Sequence, residues 1–113
     1  MPTITPTVTT LAPGVFQAVW ASMANGDVGG PVVLPAAADK CVQFYGTFGT
    51  GGNAVLKGQN GGSNYIALKD PDGNQIAMTA EALVQVRENP LRVRPEITGG
   101  DGTTSLTCSI VAK

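Results

Sequence analysis

Turn-forming residues break this chain repeatedly and leave short strand-like runs at a spacing of roughly 8–12 residues, and that punctuation limits its fold more than any other feature. Asn25-Gly26-Asp27, Gly29-Gly30-Pro31, Gly49-Thr50-Gly51-Gly52, Asn60-Gly61-Gly62-Ser63-Asn64, Asp70-Pro71-Asp72-Gly73-Asn74 and Gly99-Gly100-Asp101-Gly102 are all such breaks. Glycine supplies the positive φ a reversal needs, and proline pre-sets a turn φ while removing a donor. The runs between them are rich in Val and Thr, which favour a pleated, half-buried surface. No long helical segment separates any two runs, so parallel βαβ units are not expected. With 113 residues the chain fits one domain.

The central runs alternate. In Cys41–Phe48, Val42, Phe44, Gly46 and Phe48 share one face, with Cys41, Gln43, Tyr45 and Thr47 on the other. Near the end, Leu106, Cys108, Ile110 and Ala112 lie opposite Thr107, Ser109 and Val111. Val15–Trp20, Val32–Leu34, Ala54–Gln59, Tyr65–Lys69 and Gln75–Thr79 read as further strands. Leu83 onward and Leu91–Arg94 complete the set, with Pro95 placing the end of that strand, or an edge, nearby. Ala36–Ala38 can make at most one helical turn. Thr79 can cap another, although the alternation after Ala82 favours strand. About eight short strands at this spacing predict an all-β domain, an antiparallel sandwich or barrel.

Residues 1–14 stand apart, with three prolines, five threonines and no charged side chain. The prolines exclude a helix and favour an extended arm ahead of a single domain over 15–113. Its composition, poor in charge and rich in β-branched residues, is the reverse of a typical disordered segment. The arm reads either as a frayed terminus or as a segment that orders by lying on another subunit. Residues 1–20 and the exposed strand edges are expected to make the contacts, with Ile4, Val8, Leu11, Phe16 and Trp20 as apolar anchors, and deletion of residues 1–12 is expected to leave the body folded but to weaken or abolish assembly.

Composition removes several classes of chemistry. There is no histidine, which excludes His-based triads and His metal sites. Seven Lys and Arg against eight Asp and Glu leave a net charge of −1, without the basic footprint of a nucleic-acid binder. No run is long and apolar enough for a transmembrane helix, and Met-Pro-Thr-Ile-Thr-Pro has no basic or apolar signal region, so no secretory leader is expected. Two cysteines alone cannot hold zinc. Cys41 and Cys108 fall on differently composed strand faces and read as reduced thiols.

The remaining motifs read as structure first. Asp70–Asn74 resembles part of a calcium loop, but Gly73 falls fourth where that loop needs glycine sixth, so it reads as a turn. The glycine clusters lack the Gly-Lys-Ser/Thr and following helix of a phosphate loop. Arg92 and Arg94 share a strand face and form a small basic stripe, open to an acidic partner or simply discouraging edge pairing. Trp20, Tyr45 and Tyr65 offer rings for a carbohydrate platform or serve as core and interface anchors. No catalytic, cofactor-binding or metal-binding residue is assigned, and an enzyme is not expected.

Tyr45-Gly46-Thr47-Phe48-Gly49, Leu56–Tyr65, Asp70-Pro71-Asp72-Gly73-Asn74, and Val93-Arg94-Pro95 with Gly99–Thr104 together resemble small virion proteins of tailed bacteriophages, of the capsid decoration or cement type. The likeness covers residues 40–112 and is one of turn motifs. It implies a sandwich body, jelly-roll-like or immunoglobulin-like, made in the host cytoplasm and placed on the capsid exterior. It further implies the major capsid protein as partner, a homo-oligomer (a trimer ahead of a dimer), no nucleic acid or membrane, no cofactor and no catalysis. The alternative is a ligand- or carbohydrate-binding sandwich module using Tyr45 and Tyr65.

Overall fold

The computed structural model describes residues 3–34 and 39–113, which form eleven strands in two sheets and no helix. The Ala36–Ala38 turn expected from sequence lies outside the described residues. Sheet I contains β1 (Thr3–Ile4), β4 (Val28–Gly29), β10 (Arg92–Ile97), β6 (Ala54–Gln59) and β7 (Ile66–Ala67) in that order, with β8 (Ala77–Met78) also on β6. Sheet II runs β2 (Thr7–Ala12), β3 (Val15–Met23), β11 (Ser105–Ala112), β5 (Lys40–Thr47) and β9 (Ala82–Val86). Every pair is antiparallel except β1 with β4, so the expected all-β sandwich is the fold found.

The two sheets bury their facing sides against one another. Sheet II contributes Ala18, Trp20, Met23, Val42, Phe44, Val86, Leu106, Cys108 and Ile110, and sheet I contributes Ala54, Leu56, Val93 and Ile97. The alternations of β5 and β11 hold as read: Val42, Phe44, Leu106, Cys108 and Ile110 face in, while Gln43, Tyr45, Thr107 and Val111 face out. A one-residue bulge lies in β3 opposite Thr107, where the register shifts between Leu106 and Cys108. Ser22, in that bulge, takes a φ of 56°.

Residues 3–12 differ from expectation. They do not form a free arm but belong to both sheets, with β1 lying parallel to β4 and β2 pairing with β3 as the edge of sheet II. Thr5 and Pro6 carry the chain from one sheet to the other. Ile4 packs against the core, and its carbonyl accepts the Gly30 amide at 2.7 Å. Truncation at residue 12 therefore removes an edge strand and uncovers β3, rather than leaving the body unaltered.

Pro95 is a second difference. It neither ends β10 nor sits at an edge; β10 is central, with Pro95 opposite Leu56 of β6 and β4 on the other flank. The missing donor is tolerated because pairing on that flank is broken: Glu96 pairs with Val28, and Val32 next bridges Val93. The Thr79–Leu83 segment is a bend leading into strand at Ala82.

Two loops at one end of the sandwich are tied by a single carboxylate. Asp101 Oδ2 accepts the Thr50 amide at 2.8 Å, and its Oδ1 accepts the amide and hydroxyl of Thr103. These bonds hold its pKa down to about 2, with the Thr103 hydroxyl the largest cause. Thr104 Oγ1 donates to the Phe48 carbonyl at 2.9 Å and accepts the Asp101 amide.

Candidate interaction surface

The outward side of sheet II is built by strand register. One row across it reads Thr7, Val19, Ser109, Gln43, Leu83; the next reads Thr9, Gln17, Val111, Cys41, Gln85. Thr107 and Tyr45 continue the surface beyond the first row. None of these twelve side chains is charged. Gln17 Nε2 donates to Ser109 Oγ at 3.2 Å, fixing the centre of the face. A shallow concavity of about 480 Å³ runs over Cys41, Gln43, Leu83, Gln85, Ser109 and Val111 and reaches the charged Asp39, Lys40 and Lys113 where β5 begins and β11 ends. Leu83 is 64% exposed and Tyr45 40%.

The outward side of sheet I has the opposite character. Arg92, Arg94 and Glu96 alternate along β10 with buried Val93, Pro95 and Ile97. Arg94 donates from Nη2 and Nε to the single oxygen Glu96 Oε2 at 2.9 and 3.1 Å, and Lys57 reaches Glu96 Oε1 at 3.1 Å. The Arg94 guanidinium also lies 3.8 Å from the centre of the Tyr65 ring. Arg92 Nη1 donates to Gln59 Oε1. The basic stripe read from sequence is thus engaged within its own sheet: Arg94 shares Glu96 with Lys57 and stacks on an aromatic ring, while Arg92 is held by the neutral Gln59 amide.

The structure separates the expected anchors. Trp20 is wholly buried, with its indole Nε1 donating to the Gly30 carbonyl at 2.9 Å, so it is a core residue and offers no contact surface. Ile4 and Phe16 are half-buried. Val8 and Leu11, both on β2, are 50% and 54% exposed. The three aromatic residues do not converge: Trp20 is in the core, Tyr45 lies outside sheet II and Tyr65 outside sheet I.

Sequence reasoning put Ser109 opposite the apolar face of its strand but did not join Gln17, Gln85 and Ser109 into one surface. The alternation that assigned Gln43 and Tyr45 outward carries the same signal for Ser109, whereas Gln17 and Gln85 join them only through pairing across strands. Lys40 also escaped notice. It lies on the inward side of β5 at 3% exposure, where its Nζ bonds Asn89 Oδ1. Burial lowers its pKa, and nearby Asp39 partly opposes that effect.

The turn readings agree with the geometry. Asp70 Oδ1 accepts the amides of Asp72 and Asn74, both at 3.0 Å, and Gly73 adopts a φ of 87°. No cluster of three or more metal-ligating side chains occurs among the described residues. Cys41 is half-buried on the outer face of sheet II and Cys108 is enclosed in the core, both as free thiols. Burial pushes the Cys108 thiol well above its ordinary range.

No family model matches the chain, and comparison with curated proteins and with solved structures finds no match either. The class of protein is therefore defined by its architecture alone, a two-sheet, all-β sandwich with one charged and one uncharged outer face.

Proposed function

We propose that this chain is a non-catalytic structural protein that docks on the outer surface of a tailed-bacteriophage capsid and stabilises it, with the major capsid protein as partner. The observation that carries the reading is the uncharged outer face of sheet II, which spans all five strands. A protein that must stay bound through changes of ionic strength gains from contacts with no screened charge. Interface centres are depleted in charge in the same way. Many copies on one lattice add weak contacts through effective concentration. The likeness of turn motifs to decoration proteins supplies the partner class. A carbohydrate-binding module has less support, because the aromatic rings it would use are dispersed.

The test is co-sedimentation of the full chain with tailed-phage capsid shells. Leu83→Glu places a charge on the uncharged face, and Ile66→Glu places one at a 68% exposed position of sheet I as a control. Burying an unpaired carboxylate costs several kcal/mol, so the first variant is expected to bind about tenfold more weakly or worse. The control is expected to bind like the parent. Equal binding by both variants, or no binding by the parent, counts against the proposal.

A further inference from the structure

A sheet edge presents unpaired amides and carbonyls, and soluble proteins blunt such edges with short strands, charges, prolines or bulges. The edges of this sandwich are treated unequally. In sheet I, β1, β7 and β8 are each two residues long. In sheet II, β9 is flanked by Glu81 at one end and by Arg87 and Glu88 at the other. Its ends are also engaged: Glu81 Oε2 accepts the Gly46 amide, and the Arg87 amide donates to the Lys69 carbonyl at 2.8 Å.

The other edge of sheet II, β2, is left open. All six of its residues are exposed, and Pro6 and Pro13 bracket it without interrupting it. The first charged side chain in the sequence is Asp27, so neither β2 nor its neighbour β3 carries a charge to repel a second strand. The stretch before the register shift at Thr10/Ala12 is a plain antiparallel ladder over Thr7–Thr10.

We propose that β2 is a dimerisation edge, along which two copies of this chain pair antiparallel, strand β2 against strand β2, joining their two five-stranded sheets into one. The proposal deepens the reading above, on which it rests for the purpose of the dimer, but it uses a different surface. Side chains alternate between faces, so a two-fold axis through the ladder must pass beside one residue, Val8 or Thr9. Centred on Val8, the pairing sets Thr7 against Thr9 of the second copy; centred on Thr9, it sets Thr9 against its own equivalent. Both registers place threonine opposite threonine on the outer face, a favourable cross-strand pair. Neither opposes like charges. The axis stands perpendicular to the sheet, so the two uncharged faces end on the same side as one continuous surface. The half-exposed Val8 and Leu11 are drawn to the junction.

The experiment measures the solution mass of the full chain by light scattering across about a tenfold dilution, because a dimer obeys mass action. Thr9→Lys sets two cations beside the axis. Val8→Cys and Thr9→Cys, each with Cys41→Ser, report the register by oxidative cross-linking. The expected results are a mass of two chains, halved by Thr9→Lys with unchanged circular dichroism, and a cross-linked pair from one of the cysteine variants. A monomer at every concentration, a trimer, or a dimer that neither responds to Thr9→Lys nor cross-links would overturn the proposal. Capsid sedimentation run alongside separates the two readings: a monomer that binds shells removes the dimer alone, and a dimer that ignores shells removes the capsid partner alone.

Discussion

The Pro95 ring lies against the backbone of Gly29 so closely that a Cβ at Gly29 would stand 2.5 Å from Pro95 Cδ and 2.8 Å from Trp20 Cδ1. Proline in a central strand, glycine in the short strand beside it and tryptophan from the opposite sheet thus form one packed unit. The donor that Pro95 lacks is not needed, since β4 is only two residues long at that point. The space a side chain at residue 29 would take is filled by the pyrrolidine and indole rings.

Gly29→Ala is therefore expected to destabilise the fold through overpacking, by about 1–3 kcal/mol. The clash is with two rigid rings, so relief requires backbone movement. Gly102→Ala, where no atom lies within 4 Å of an added Cβ and φ is not positive, is expected to be near neutral. Urea unfolding midpoints of the two variants check the contrast, and equal midpoints would refute the packing account.

Trp20→Phe tests the polar half of the same unit. The indole is the donor to the Gly30 carbonyl at 2.9 Å in a fully buried setting. Phenylalanine keeps the apolar character but leaves that acceptor without the indole donor, at a cost of about 1–3 kcal/mol. The smaller ring adds a void to this. Equilibrium denaturation gives the total, and a loss below about 1 kcal/mol would show that water reaches the carbonyl.

The sequence-level reading succeeded where burial itself has a period. Val42, Phe44, Leu106, Cys108 and Ile110 are enclosed and their neighbours are not, so alternation in the sequence reports the core directly. It failed for β2 because all six residues are exposed and no alternation exists to be seen. The information that makes this segment a strand lies in β3. Trp20 was misplaced for a related reason: a single aromatic residue does not show which side of its strand faces inward, and its hydrogen-bond partner Gly30 belongs to another element. Arg92 and Arg94 were correctly put on one face. The pairing of Arg94 was legible too, because Glu96 follows it by the two-residue period of a strand. The uncharged face of sheet II was legible only in halves, since Gln17 and Gln85 reach it through pairings no local pattern encodes.

Asp101 predicts an acid response. Its folded pKa, about 2, is below its ordinary value of 3.8, so the carboxylate form is favoured by folding. The stability it contributes is complete above the unfolded value and is lost as pH falls from about 4 toward 2. Asp101→Asn is expected to unfold more readily at neutral pH and to have a flatter stability profile across that window. Urea midpoints at a series of pH values measure both, and parallel profiles for parent and variant would contradict the assignment.

Lys40 predicts a rise of stability with pH at the alkaline end as well, but from a charge that folding disfavours rather than favours. Burial disfavours its ammonium form and lowers the folded pKa below the unfolded one, so the unfolded chain holds the proton to higher pH. Between those two values the unfolded state binds more protons, and stability rises with pH. Below the folded value the desolvation cost is fully present and constant. Lys40→Met keeps the aliphatic stem along the end of β5 and removes the charge, but it also takes the donor from Asn89 Oδ1. Asn89 is exposed and water can replace that donor, so the desolvation relief is expected to win. The variant should match or exceed the parent's stability at neutral pH and should lose the alkaline rise. A variant clearly less stable than the parent would instead show that the bond to Asn89 outweighs the cost of burying the charge.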